Sequence, residues 1–339
     1  MDKAVYDIEQ PILVTGATGL IGRVLVDRLL KEQFEIHVFV LPTDHIPIRW
    51  EGRVRIHWGD IRERRYVKQA MENCQTVFHL AAVIHDWKGR NVYQEINVDG
   101  TSHVLEIAAQ KGIRAVLTSG VAVYGTDLRY AICHEERPHG PAVGYYSQSQ
   151  QAQERIALKL IKEAKLKCSI LRPASVYGPG SRTWVHRLIE AMKNGPTLLG
   201  DGHQNAGLVH VKNVVEMLML LATHPAALGE IYNGAEENNV SWKQYQTDLS
   251  RIAHTPPPRH FIKEISWPLA NLQENIWRAL NLSSRPHFTR EAINRILANH
   301  RIPIDKIKNE LGYKEVISYQ EGMQELASYL NKQYQKPSP

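Results

Sequence analysis

The sequence predicts an α/β protein: a doubly wound parallel sheet followed by a smaller, mostly helical C-terminal lobe. Short β-branched runs alternate with amphipathic stretches through the first half, and strand then helix, repeated, covers both faces of a parallel sheet with helices. The first strand also runs straight into a glycine-rich turn that opens a helix. The scale fits, because 339 residues with 43% hydrophobic content can bury one large core or two modest ones.

The elements follow in order. PILVT (11–15) is the first strand, with a helix from Leu20. EIHVFV (35–40) and RVRIH (53–57) come next, then a helix from Arg62, the strand TVFHLAA (76–82), a helix near 91–111, the strand AVLTS (115–119), a helix from Tyr146 and the strand CSILRP (168–173). From Gly178 the rhythm loosens, as GPGSR and NGP break the chain around a short helix. LVHV returns to strand, VKNVVEMLMLLA is helical, and EIYNGA is a last short strand. TPPPRH marks a boundary, and the pattern beyond it is helical through DKIKNELGY to about Tyr334. The expected division is a nucleotide-binding domain of residues 1–177, which also receives 206–235, and a substrate lobe of 178–205 and 236–335.

Composition narrows the classes. The first fifteen residues carry Asp2, Asp7 and Glu9 and no apolar run, and the longest apolar stretch, VEMLMLLA, is too short to span a bilayer. A cytoplasmic protein with no membrane partner is expected. Cys74, Cys133 and Cys168 form an odd set without CxxC spacing, and the sixteen histidines show no ligand spacing, so neither disulfides nor a metal site are expected. The net charge of +6 is scattered rather than clustered, which argues against nucleic acid and suits an anionic small ligand.

The glycine turn is TGATGLIGR, with Gly16, Gly19 and Gly22. Glycines there allow a tight turn, let backbone N–H groups approach a pyrophosphate and let the helix pack on its strand, with the helix N-terminus facing the negative charge. Gly16, Thr18, Gly19, Leu20, Ile21, Gly22 and Arg23 are the expected cofactor-binding segment of a Rossmann-type domain. An acid at the end of the second strand would select NAD, and an arginine NADP. Val40, Leu41 and Pro42 stand there. With no acid to repel a phosphate, and with Arg23, Thr43 and Arg49 nearby, NADP is expected ahead of NAD.

TGATGLIG, GDI (59–61), HLAA (79–82), INVDGT (96–101), TSGVAVYG (118–125), the tyrosine-initiated helix, LRPASVYGPG (171–180) and LVHVKNVV (208–215) together resemble the extended short-chain dehydrogenases/reductases. The last lobe resembles their epimerase/dehydratase and 3β-hydroxysteroid dehydrogenase-like branch. The resemblance implies that Asp60 and Ile61 flank the adenine, that Ala81 and Ala82 line the cofactor, that Asn97 braces the central helix, and that Pro173, Ala174 and Val176 lie near the carboxamide. A homodimer through paired helices is usual for such proteins.

The same resemblance exposes a departure. Its Tyr-x-x-Ser-Lys pattern falls on YSQSQ, placing the tyrosine at Tyr146 and the lysine position at Gln150, while the serine position of the preceding strand end falls on Gly120. Tyr146 and Gln150, four apart, share a helix face. Glutamine can hydrogen-bond the cofactor ribose but supplies no charge to lower the phenol's pKa. Tyr146 should therefore titrate near or above its ordinary value, which suits proton donation in carbonyl reduction better than proton abstraction. Ser119 is the nearest substitute hydroxyl, one residue off in a strand and so on the opposite face unless Gly120 swings it round. His85 is an alternative acid or base.

By the same resemblance the substrate pocket comprises His85, Trp87, Tyr177, Arg182, Trp184 and His186, with His210 beside them, and the tryptophans favour a flat, apolar substrate. The expected function is an NAD(P)-dependent reductase acting on a ketone of a cyclic polyketide- or steroid-like molecule. Two alternatives stay open: a nucleotide-sugar epimerase or dehydratase, and a non-redox cyclase, lyase or nucleotide-binding protein that has lost hydride chemistry.

Overall fold

The computed structural model describes residues 6–334. Its strands are β1 (Ile12–Thr15), β2 (Ile36–Val40), β3 (Arg55–Trp58), β4 (Thr76–His79), β5 (Arg114–Thr118), β6 (Cys168–Pro173), β7 (Ser175–Tyr177), β8 (Leu198–Leu199), β9 (Leu208–His210), β10 (Ile231–Gly234) and β11 (His260–Phe261). Seven of them form one parallel sheet in the order β10-β6-β5-β4-β1-β2-β3. The order reverses between β1 and β4, and in open α/β sheets ligands bind beyond the carboxyl ends of the strands at such a reversal.

The helices are α1 (Leu20–Lys31), α2 (Arg64–Ala70), α3 (Arg90–Tyr93), α4 (Gly100–Lys111), α5 (Tyr145–Ala164), α6 (Arg187–Asn194), α7 (Val211–Thr223), α8 (Trp242–Ile252), α9 (Lys263–Ala279), α10 (Arg290–Leu297), α11 (Asp305–Leu311) and α12 (Tyr319–Tyr334). A π-helical segment, Gln94–Asp99, joins α3 to α4. None of the described helices is long and apolar enough to cross a membrane.

The strand pattern explains the two layers of core. Alternate residues point to opposite faces, so Ile12, Val14, Val116 and Leu171 pack with α1 and α7 on one side. Leu13, Ala115, Leu117 and Ile170 pack with α2, α4 and α5 on the other. With helices on both sides β1 has no exposed residue, which is why it reads as a continuous apolar run. β3, at the sheet edge, is exposed at Arg55 and Trp58 and half-buried between them.

Two features differ from the expected outline. After β5 the chain does not pass directly to a helix but makes a 3-10 run, Val121–Arg129, broken at Gly125 where φ is 52°. A Cβ on Gly125 would stand 2.0 Å from the Pro141 carbonyl oxygen. The C-terminal segment also divides: Tyr319, Met323, Leu326 and Leu330 pack into a separate cluster with Trp242 and Tyr245, whereas Ala298, Ile304, Ile307, Leu311 and Tyr313 return to the core around β1 and α1. Apolar side chains in α11 find their partners on the sheet domain, against the expected assignment of all of 236–335 to the lobe.

Candidate active site

The glycine turn is shaped by contacts that exclude side chains. At Gly16, with φ of 66°, a Cβ would stand 2.8 Å from the Ala81 nitrogen, and at Gly22 one would stand 2.3 Å from the Gly16 oxygen. The first brings β1 and the segment after β4 together, and the second seats α1 on its strand. Thr15 Oγ1 reinforces the join, accepting from the backbone nitrogens of Leu80 and Ala81 at 3.2 Å each. Among the described residues no side chain caps α1, whose N-cap is Gly19, so the first N–H groups of a twelve-residue helix remain for an anion. A dinucleotide pyrophosphate fits this turn.

Tyr146 lies in the first turn of α5 and Gln150 one turn later. Both reach the end of β5: a Cβ on Gly120 would stand 3.7 Å from Gln150 Oε1, 3.7 Å from the Pro173 oxygen and 4.0 Å from the Tyr146 hydroxyl. The structure thus brings together Tyr146, Gln150 and Gly120. Gln150 is 2% exposed, and its Oε1 has no hydrogen-bond partner among the described residues. A buried amide oxygen without a donor is costly, and a ribose hydroxyl is the type of group that would satisfy it. Burial pushes the Tyr146 phenol above its ordinary range; the positive charge of Arg295 opposes this, while Glu291 and Asp86 add to it.

Asn97, within the π-helical segment, anchors this helix. Its Nδ2 donates to Ser149 Oγ at 2.9 Å and to the Val83 oxygen at 3.1 Å, and its Oδ1 accepts from the Val83 nitrogen at 2.7 Å. The loop after β4 is thereby tied to α5. Within that loop the Trp87 nitrogen donates to His85 Nδ1 at 3.1 Å, which leaves the proton of the neutral ring on Nε2. Burial lowers the His85 pKa, with Arg187 adding to the effect.

The structure gives several of the expected site residues partners of their own. Ser119 does not replace the missing serine: its hydroxyl donates to Glu154 Oε1 at 2.7 Å, held by a buried network in which Arg172 Nη2 and His139 Nε2 meet Glu154 Oε2 at 2.7 and 2.8 Å. Strand parity turns it away from Tyr146. Tyr177 and His210 are wholly buried, with ring centroids 5.1 Å apart, and Tyr177 belongs to the lobe's core rather than to a pocket wall. His210 caps α7, its Nδ1 accepting from the Lys212 nitrogen. His186 faces the Tyr329 hydroxyl of α12 at 3.3 Å. Asp60 is engaged by Arg62 at 2.7 Å, and Ile61 packs beneath Gly100.

Trp87 and Trp184 keep accessible edges, the first under the Arg278 guanidinium at 5.4 Å and the second near Arg295 at 6.0 Å. Arg182 is exposed and makes no ion pair among the described residues. Ala174 is buried, and Val176 packs at the edge of the core.

The C-terminal segment supplies residues that no local motif marks. Glu291 Oε1 accepts from the Ser147 nitrogen at 2.9 Å, filling the N-terminal cap that Gly144 cannot provide. Asn294 donates to the Gly125 oxygen at 2.9 Å. Asp86 is gripped by Arg285, at 2.8 and 2.5 Å, and by Thr289 Oγ1 at 2.5 Å. These contacts close the C-terminal segment over the Tyr146 end of α5 and put Arg295 one turn beyond Glu291.

A family model described as the NAD dependent epimerase/dehydratase family matches residues 12–235. The chain is 26% identical to a sterol-4-alpha-carboxylate 3-dehydrogenase, decarboxylating, of Schizosaccharomyces pombe, covering 94% of this chain and 97% of that protein. It is 25% identical to a 2-alkyl-3-oxoalkanoate reductase of Shewanella oneidensis, covering 94% and 85%. An epimerase structure from Methanothermobacter thermautotrophicus superposes with a TM-score of 0.77 at 20% identity, covering 97% and 94%, a likeness of fold.

Proposed function

The chain belongs to the NAD dependent epimerase/dehydratase family, and from that premise we propose that it reduces a ketone on a cyclic, apolar small molecule, of steroid or polyketide type, to the alcohol. The nicotinamide supplies the hydride. The glycine turn and the open N-terminus of α1 would hold the pyrophosphate, and Gln150 Oε1, without a donor among the described residues, would accept from the ribose. Tyr146 gives its proton to the carbonyl oxygen as the hydride reaches the carbonyl carbon.

The observation that carries this reading is the trio at the end of β5: a tyrosine hydroxyl and an uncharged, buried glutamine both close to where a side chain at Gly120 would lie. No ammonium stands at position 150 to favour the phenolate, and burial acts in the same sense. A protonated phenol is the acid that carbonyl reduction needs. The names of two relatives support an apolar substrate whose reacting carbon is a ketone or its alcohol, one being a sterol dehydrogenase and the other a 3-oxoalkanoate reductase.

The test is consumption of NADH or NADPH with a panel of cyclic steroid ketones and 2-alkyl-3-oxoalkanoates. Tyr146→Phe should lower turnover by about 10²- to 10⁴-fold. Full activity in Tyr146→Phe would move the proton donation to an acidic hydroxyl on the substrate or to His85 Nε2–H. The absence of both the lysine and the serine favours one second reading, a non-redox protein that keeps the nucleotide site. Nucleotide binding without consumption across that panel would support it.

A further inference from the structure

Among the described residues fifteen large apolar side chains are exposed, and they are not scattered: Ile262, Ile265, Leu272, Ile276, Leu280 and Leu282 fall together on α9 and its two ends, each 41 to 64% exposed. With half-buried Leu269 and exposed Ala279 they make a stripe. Ile262, Ile265, Leu269, Leu272, Ile276 and Ala279 follow one another at intervals of 3, 4, 3, 4 and 3 residues. That spacing repeats every seven residues, the seam along which one helix packs on another.

The other face of α9 is already occupied. Ala270 packs with Leu199 and Ile293, Gln273 Oε1 accepts from the Phe288 nitrogen at 2.9 Å, and Glu274 accepts from the Arg290 nitrogen at 2.7 Å and from Arg290 Nε at 2.8 Å. The helix is therefore fixed to α10 while Ile265, Leu272 and Ile276 face solvent, with no described segment covering them. The sheet-covering helices α4 and α5 differ, exposing one large apolar side chain between them, Leu158.

The order of residues in the stripe selects what covers it. Turned end for end about the midpoint between Ala270 and Asn271, the stripe maps onto itself: Ile265 falls on Ile276, Leu269 on Leu272 and Ile262 on Ala279. A second α9 lying antiparallel across a two-fold axis thus meets apolar residues along its whole length. Pro268, Gln273 and Asn275, which border the stripe on the helix surface, are uncharged, so two copies approach without repulsion. The same axis brings Glu264 of one copy to the level of Arg278 of the other. A border without cations offers little to an anionic lipid surface. We propose that α9 is a self-association surface, through which two copies of this chain join as an antiparallel helix pair apart from any contact through α4 and α5.

The experiment is sedimentation velocity of the purified full chain, wild type against Leu272→Arg, over a concentration series reaching about 100 µM. One helix from each copy makes a small interface, so association in the micromolar range is expected. At the highest concentration the wild type should have twice the mass of Leu272→Arg, which changes an exposed side chain and should melt at the wild-type temperature. Cross-linking reads the register. Ile265→Cys and Ile276→Cys proteins, mixed and oxidised, should form a disulfide-linked pair on a non-reducing gel. Neither should do so alone, because each substituted position stands about 16 Å along the axis from its own copy; Cys74, Cys133 and Cys168 are buried. Equal masses for wild type and Leu272→Arg at every concentration would overturn the proposal, as would cross-linking of Ile265→Cys by itself. So would a monomeric wild type that floats with phosphatidylcholine vesicles when Leu272→Arg does not, which would give the stripe to a lipid surface.

Discussion

The buried Oε1 of Gln150 stands 3.7 Å from the point where a β-carbon on Gly120 would lie, with the Tyr146 hydroxyl 4.0 Å from that same point. A side chain added at 120 meets only ordinary van der Waals contact there. The backbone permits it as well, since φ at Gly120 is 178°, an extended value open to any residue. Gly120→Ser should therefore fold as the wild type does and place a hydroxyl beside Tyr146. Carbonyl reduction should rise by about tenfold in kcat, equivalent to about 1.4 kcal/mol of transition-state stabilisation. Steady-state kinetics with a reducible ketone reads this directly, and a fall in kcat would mean that the reacting oxygen does not lie there.

Gln150→Lys should act on the phenol. An ammonium within hydrogen-bond range lowers a neighbouring acid's pKa by about 1 to 3 units, so ultraviolet titration should show the Tyr146 phenolate at lower pH than in the wild type. Alcohol oxidation at neutral pH should rise with it, while reduction changes less. An unmoved titration would show that the side chain at 150 does not reach the hydroxyl.

Glu291→Ala should reveal how α10 serves α5. The carboxylate accepts from the Ser147 nitrogen at 2.9 Å and its negative charge raises the Tyr146 pKa. Losing the cap should cost about 1 to 2 kcal/mol in urea unfolding, and losing the charge should shift the Tyr146 titration downward. A change in stability without a change in titration would confine Glu291 to a capping role.

Glu154 ties stability to acid. Burial would raise its carboxyl pKa, but hydrogen bonds from His139, Arg172 and Ser119 outweigh burial and bring it from 4.5 down to about 2. Because the folded value is the lower one, the contribution is present above pH 4.5 and is lost as pH falls from there towards 2. It is on the order of 3 kcal/mol. Glu154→Gln should flatten the stability profile over that window. It should also destabilise the protein at pH 7, where Arg172, 2% exposed, would be left without its counter-ion. Denaturant melts at several pH values provide the comparison.

Asp86→Asn should loosen the loop after β4. The carboxylate is held by two guanidinium contacts and one hydroxyl, all from the C-terminal segment, and an amide cannot accept at both oxygens. Amide hydrogen exchange across residues 83–89 should speed up at least tenfold, with KM rising more than kcat falls. Unchanged exchange would show that Asn97 alone holds the loop.

The parallel sheet was legible because its cause is local. A strand buried on both faces shows an apolar run, a helix packed on one side shows a period near 3.6, and a phosphate turn needs glycines at spaced positions. Tyr146, Gln150 and Gly120 could be placed for the same reason, each lying at a fixed offset within an element. Strand parity already turned Ser119 to the opposite face, but the buried acid that holds it there lies 35 positions away. The direction of His186 was not legible, because the lobe's final helix decides it.

By itself the sequence determined the layered α/β architecture, the glycine turn and the offsets that bring Gly120, Tyr146 and Gln150 together, since periodicity and local sterics are written within a few residues. Only the tertiary structure decided what surrounds them. Glu291 meets Ser147 across 144 positions of chain, and Asp86 meets Thr289 across 203. Such partners are chosen by how helices dock and where a turn folds back, and a charge acts through space rather than along the chain.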